Sequence, residues 1–519
     1  MSDTNAQSVA FVRNSEIPAS PPPAGETGPV KWLRENLFSG WVNSVMTVIA
    51  FLLIARFIMG VFPWFWNGVW DATSIKDCRN IMADAGTAGS ACFAVLVDRW
   101  DHLLFGFKYP ATEYWRPTLA FVLLVVCAMP ALFAMYLPRK LLIATALYPF
   151  VAYWLIWGGS LWVPVVILGL LAVTAAIYLF IEGLSVSLRQ VVAGIVGALS
   201  GIGLGYLLYL GAQELWFISG NVSAGEGIVS TVAGFVFMIA AIFTYAFFIP
   251  MGIFVGYAIY NSYEDGGLVT IVTTLFSLYA LMVYGLGPIS AAINSVVPIE
   301  LEAVASRDMG GYMLCMILGT VCVSLSIPLG VVLALGRQSN MPLIKGICVV
   351  FIEFIRGVPL ITLLFVANVM LAYFFPPESS IDLILRVIIM ITAFSAAYIA
   401  EVIRGGLAAL PKGQYEAADS LGLNYTQATR LIILPQALKI SIPGIVNVAV
   451  GLFKDTTLVS VISMFDIVGM IRGPIQQSTD WISIYWEVYL FAAAVFFVVC
   501  YSISQYSQWL ERQLQTGHR

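Results

Sequence analysis

Charge is what this sequence has least of. Asp, Glu, Lys and Arg together make up 10% of its 519 residues, where a soluble domain carries about 25%. Apolar residues make up 60%. A soluble fold of this composition has no means of covering its surface with polar groups, so a lipid bilayer is the expected main solvent. The net charge is −4, with no basic run of the kind that binds nucleic acid, and no nucleic-acid partner is expected.

Other absences narrow the field further. Histidine occurs only as His102 and His518, far apart and outside the apolar runs, so no metal site is expected. No Gly-Lys dipeptide occurs, which excludes a Walker A phosphate loop. Residues 1–30 are polar and proline-rich around Pro21–Pro23 and lack the apolar core of a cleavable signal. Residues 1–40 therefore read as a disordered tail on the synthesis side. Of the seven cysteines, Cys127, Cys315, Cys322, Cys348 and Cys500 sit in apolar runs and read as small hydrophobes. Cys78 and Cys92 share a polar loop; they pair if that loop faces an oxidising space and are otherwise two free thiols.

What is present is a series of long apolar runs. A helix needs about 20 apolar residues to cross the hydrocarbon core, and twelve such runs can be drawn. They lie near residues 42–62, 117–137, 141–158, 161–181, 191–210, 228–259, 268–289, 313–335, 347–375, 383–402, 440–462 and 485–505. The fold class is an all-α polytopic membrane protein. Positive residues place both termini in the cytoplasm: Arg139, Lys140, Arg189, Arg337, Lys345, Arg404, Lys412, Arg430, Lys439 and Arg512 all follow even-numbered crossings. The loop after crossing six, at Glu264 and Asp265, carries no positive charge. The long loop 66–116 falls outside and is rich in Asp. The composition shifts near Met309: residues 41–308 read as one membrane region, and 309–508 as a second with charges inside or beside its runs. Residues 509–519 form a closing tail.

The most informative stretch begins at Glu401. About 35 mixed residues interrupt two membrane runs there. Periodicity predicts a helix from Gly413 to Leu421, broken by Gly422, then a second helix capped by Asn424 or Thr426 and ending before Pro435. Ala417, Ala418 and Leu421 share one small, shallow face, with Glu416 at its rim. Patterning alone leaves two readings open: an amphipathic helix on the membrane surface, or a face that enters a groove on a partner.

The order Glu416-Ala417-Ala418, three residues, Gly422, nine residues, Ile432, one residue, Leu434-Pro435 resembles the EAA loop of ABC-importer permeases. Residues 411–437 as a whole, with Phe453-Lys454-Asp455-Thr456-Thr457-Leu458 and Phe351-Ile352-Glu353-Phe354-Ile355-Arg356-Gly357-Val358-Pro359-Leu360, resemble polar amino-acid permeases. Trp32 to Phe38, Phe105-Gly106 and Trp115-Arg116-Pro117 resemble the larger permeases of general L-amino-acid uptake systems. The chain departs from them in about 150 extra apolar residues near 140–300. The resemblance implies a five-helix type I importer core, coupled through the EAA loop to a cytoplasmic ABC ATPase dimer that carries ATP and Mg. It also implies a second permease subunit, a periplasmic binding protein that delivers L-amino acids, and the inner membrane as the site.

Charges inside membrane runs cost several kcal/mol unless paired or facing water. Glu353 and Arg356 are three apart, as are Glu401 and Arg404, while Lys454 and Asp455 are adjacent. Glu353, Arg356, Lys454 and Asp455, with Asn368 and Asn447, are candidates for the translocation path. Helix-positioning pairs are the other reading, the favoured one for Glu401 and Arg404. A secondary transporter complete in one chain would need a dense set of mid-membrane carboxylates, which the sequence lacks. A membrane enzyme would need a nucleophile–base or metal constellation, and none is apparent.

Overall fold

The computed structural model describes residues 29–223, 228–261, 267–370 and 382–515. Most of the tail 1–40, the loop at Glu264 and Asp265, the end of the ninth run and His518 lie outside the described residues. Within the tail segment, Pro29–Asn36 is a short helix.

The apolar runs are helices, as their length and hydropathy require. They are α1 (Trp41–Trp66), α2 (Trp115–Leu132), α3 (Leu142–Trp157), α4 (Trp162–Glu182), α5 (Val186–Ser223), α6 (Ile228–Asn261), α7 (Gly267–Ala280) and α8 (Leu286–Val296). There follow α9 (Gly311–Gln338), α10 (Pro342–Gly357), α11 (Leu360–Phe365), α12 (Leu383–Ala408), α13 (Lys412–Ser420), α14 (Tyr425–Ala428), α15 (Leu434–Asp455) and α16 (Trp486–Gln515). Among the described residues, ten spans are long and apolar enough to cross a membrane, and the bent pair α10–α11 makes an eleventh. The run drawn at 228–259 is helical over all 34 residues of α6.

Two runs differ from their expected form. The run at 347–375 is no straight span, because α10 and α11 meet at 103°. Val358 is extended before Pro359, the conformation a residue ahead of proline prefers, and Pro359 has no N–H to continue the helix. The run at 191–210 is the middle of the much longer α5, whose 38 residues measure about 57 Å at 1.5 Å per residue. α5 and α6 form an antiparallel hairpin. Gly197 and Gly201 lie against Gly256 and Gly252, so close that a Cβ on Gly201 would stand 2.5 Å from the Gly252 carbonyl oxygen. Small residues at this spacing let two membrane helices touch backbone to backbone.

Packing divides the chain into two compact units, Leu104–Ile467 and a second made of Met1–Leu103 with Val468–Arg519, a different grouping from a break near Met309. In the second unit, the loop after α1 packs on the segment before α16. Cys78 and Cys92 are disulfide-bonded. Ile75 N donates to Asp480 O at 2.8 Å, and Cys92 N to Glu487 Oε1 at 3.1 Å. Trp481, fully buried, donates its indole N–H to Asp98 Oδ2 at 2.7 Å.

In the larger unit, residues 161–299, the greater part of the extra apolar region, enter and leave at one point, and α3 lies outside this insert. β1 (Gly159–Ser160) pairs antiparallel with β2 (Glu300–Leu301), and Leu161 N donates to Ile299 O at 3.0 Å. Arg116 stands beside this junction, 1% exposed. It pairs with Glu113 and donates from Nη1 to the Glu302 carbonyl at 2.6 Å. Gly158 leaves room for that contact: with φ +71, a Cβ there would stand 2.1 Å from Glu302 O. Arg116 is therefore a structural fastening between Glu113, ahead of α2, and the paired strands at the two ends of the insert.

Candidate coupling loop and charged cluster

Residues 411–437 fold as two capped turns. α13 starts behind Pro411 and ends in a full Schellman motif: Leu423 N donates to Ala418 O at 3.2 Å and Gly422 N to Asp419 O at 2.9 Å. The motif needs a left-handed residue after the helix, which suits glycine best, and Gly422 has φ +69. Asn424 then opens α14 with a capping box to Gln427, settling the choice between Asn424 and Thr426. The second helix does not stop before Pro435. A π turn over Thr429–Ile433 carries the chain straight into α15, where Pro435 occupies the first turn and its missing N–H leaves no bond unmade.

The faces of α13 are not those expected. Ala418 is fully buried, whereas Glu416, Ala417 and Leu421 are exposed. Ala418 is enclosed while Ala417 and Leu421 are not, so the three do not share one environment. The outward apolar side chains are Leu421, Tyr425 and Leu431, at 73%, 67% and 65% exposure. Tyr425 and Leu431 were missed because periodicity was counted along the first helix alone. Burial raises the Tyr415 phenol above its ordinary value, and nearby Tyr425 adds to the shift. Ile432 packs against the membrane core and Ile433 joins it, together with Ala334, Cys348, Ile352, Ala400, Ile403 and Ala437. Gln436, after the motif's Leu434-Pro435, donates from Nε2 to Gln414 Oε1 at 3.1 Å, tying the start of α15 to α13.

The charges near this core form one cluster drawn from three helices. Arg404 donates to Glu401 from Nε at 2.8 Å, the spacing-three pair expected on α12. Glu353 and Arg356 do not pair with each other. Glu353 binds Arg337 of α9 at 2.9 Å. Arg337 also lies 3.3 Å from Glu401, and Arg356 lies 3.8 Å from the same carboxylate. The fold brings α9 and α12 to these side chains, a tertiary fact that spacing along α10 cannot carry.

The remaining path candidates stand apart. Asn368 Nδ2 donates to Ile462 O at 3.5 Å. Asn447 and Lys454 are exposed and Asp455 is half-buried. Among the described residues no hydrogen bond or ion pair joins Asn447, Lys454 or Asp455 to Glu353 or Arg356.

Comparison with known proteins decides what this architecture is. Residues 326–516 match the family model of the binding-protein-dependent transport system inner membrane component. The chain is 43% identical to the glutamate/glutamine/aspartate/asparagine transport system permease protein BztC of Rhodobacter capsulatus, over 100% of both chains. The chain belongs to the amino-acid ABC transporter permeases. The inner membrane amino-acid ABC transporter permease protein YhdY of Escherichia coli is 30% identical, over 94% of this chain and 93% of that one. A solved structure described as "Crystal structure of an amino acid ABC transporter with histidines" is 32% identical and covers 39% of this chain and 92% of its own, at a TM-score of 0.36.

This permease is thus a multi-pass inner-membrane subunit of a binding-protein-dependent amino-acid importer, and a secondary transporter complete in one chain is set aside. It is a transport subunit, a transporter permease by family. Its extra region is common to the long relatives, which match along nearly their whole length.

Proposed function

We propose that residues 411–437 dock on a separate cytoplasmic ATPase and pass its closure to the membrane helices. The observation that carries this is Leu421, Tyr425 and Leu431, left uncovered on a segment whose central bend is fixed by the Gly422 turn and the Asn424 capping box. Large apolar side chains bared on a polar loop mark a contact surface. With no phosphate loop in this chain, ATP and Mg are assigned to the partner ATPase. A dimeric ATPase offers two equivalent docking sites, so a second permease, a sister subunit or another copy, supplies the other loop. A periplasmic binding protein delivers the L-amino acid. The name of the Rhodobacter relative supports acidic and amide amino acids as the substrates. Asn368, Asn447, Lys454 and Asp455 remain the proposed path, while Glu353 and Arg356 are assigned to the cluster around Glu401.

We also propose twelve crossings with both termini cytoplasmic. Backbone pairings support this through parity, because two paired loops lie on the same side of the bilayer. β1–β2 then asks for an even number of crossings between residues 160 and 300, which counts α6 beside α4, α5 and the α7–α8 span. Gly311 N donates to Phe465 O at 2.7 Å, which asks for an even number from α9 to α15 and makes α10–α11 a broken span rather than a re-entrant loop. Nine crossings then separate the disulfide loop from residues 411–437. The disulfide belongs on the oxidising side and the coupling loop on the other.

Intact-mass measurement of the purified complex tests the reading. The expected result is this chain together with an ATPase and a second permease. Amino-acid uptake by the chain alone in ATP-free vesicles would overturn it.

A further inference from the structure

The geometry points to Arg337 and Glu401 as the positioning pair through which motion of the coupling loop reaches the translocating helices. This rests on the reading of 411–437 as the coupling loop and names the next link inward. Ile433 of the loop and Ala437 of α15 share one packed core with Ala334 of α9, Cys348 and Ile352 of α10, and Ala400 and Ile403 of α12. A side chain on Gly406 would collide with Ser441 Oγ at 2.2 Å and with the Ala437 carbonyl at 2.6 Å. α12 and α15 therefore touch backbone to side chain about one turn from Glu401, and Ser441 Oγ donates to Val402 O at 3.3 Å. Movement of the loop displaces α15, and α15 cannot move without α12, because close-packed interiors transmit displacement rather than absorb it.

The charges lie on the far side of that contact. Arg337 stands between two carboxylates on different helices, at 2.9 Å from Glu353 on α10 and 3.3 Å from Glu401 on α12. Glu401 holds Arg404 of its own helix through Oε1 and faces Arg337 and Arg356 through Oε2. Arg337 thus has two alternative partners within reach. A shift of α12 against α10 moves it toward one or the other: Glu401 keeps Arg404 when Arg337 leaves, and Glu353, about half exposed, turns to solvent when Arg337 moves to Glu401. A discrete exchange of this kind is how interfaces step between two states. With three arginines on two glutamates, the cluster keeps an excess positive charge whichever pairing holds.

The test uses the full importer in proteoliposomes, with its ATPase and binding protein and radiolabelled L-glutamate or L-glutamine. Glu401→Gln keeps the size of the side chain and removes the charge that Arg337 exchanges with. The expected result is a complex that retains its ATPase through purification, with maximal uptake reduced about tenfold and the concentration for half-maximal uptake unchanged. Glu401→Asp recovers part of the rate. Uptake at the wild-type rate in Glu401→Gln overturns the proposal. So does loss of ATPase from the Glu401→Gln complex, which would make Glu401 a structural residue only. Should that complex prove too unstable to purify, Arg337→Lys gives the second reading: it keeps the charge but loses the fork that reaches both carboxylates, and an unchanged rate there overturns the proposal equally. Failure of the coupling-loop reading itself is separate, since it appears as absence of the ATPase from the wild-type complex.

Discussion

Ser160 and Glu300 face each other across a two-stranded antiparallel pair, although residues 161–299, the greater part of the extra membrane region, lie between them in sequence. Trp162 Nε1 donates to Val297 O at 2.7 Å just inside that pair, and Arg116 fastens it from outside. The region from Leu161 to Ile299 is therefore inserted at a single stitched point.

An even insert can be removed without turning the flanking loops over. A chain in which a short Asn-Gly turn joins Ser160 to Glu300 is expected to enter the membrane with residues 411–437 still facing the cytoplasm. Thiol labelling of a cysteine placed at Gln427 reads the side. Labelling from the outside would show that the region holds an odd number of crossings.

Arg116→Ala should destabilise the detergent-solubilised chain by about 3–5 kcal/mol, the range for breaking a buried ion pair from one side. Glu113 and the Glu302 carbonyl lose their shared partner. A thermal melt of the purified chain checks this, and a Tm within a degree of wild type would show that the fastening carries nothing.

Gly422 has open space around its Cα, with nothing within 4 Å of an added Cβ. A substitution there acts through the backbone alone. Gly422→Val should cost about 1–2 kcal/mol for a left-handed conformation and lower the amount of ATPase retained by the complex. Gly422→Asn, which tolerates that conformation, should retain nearly all of it. Equal loss in both variants would contradict a backbone cause.

The disulfide between Cys78 and Cys92 closes the loop that binds Asp480, Trp481 and Glu487. Its removal by Cys78→Ser with Cys92→Ser should cost about 3 kcal/mol of local stability and let water reach Trp481. Thiol counting under denaturing conditions should find five free cysteines in the native chain and no more. In the double variant, exposure of Trp481 would appear as faster proteolysis between residues 67 and 103.

The turns of residues 411–437 were partly legible because their signals are local. Gly422 after a helix and Asn424 three residues ahead of Gln427 each dictate a turn through their own backbone chemistry, whereas Pro435, expected to follow a helix end, lies where the chain runs on into α15. Glu401 with Arg404 was legible for the same reason, being one helical turn apart. Glu353 and Arg356 satisfied the same spacing rule, yet each took its partner from another helix, because Arg337 and Glu401 arrive only when α9, α10 and α12 pack together. Ala418 shows the matching limit for burial. Periodicity groups it with Ala417 and Leu421, and only the folded arrangement decides that it is the one enclosed.

By itself, the sequence determined the solvent, the helices, the turn at Gly422 and Asn424 and the absence of a phosphate loop, since composition, hydropathy and capping act within one or two turns of chain. The tertiary structure alone decided the single stitched origin of the insert and the sharing of Glu401 among three arginines. Those features depend on residues far apart in sequence meeting in space, and no local pattern encodes which of several apolar helices will lie against which.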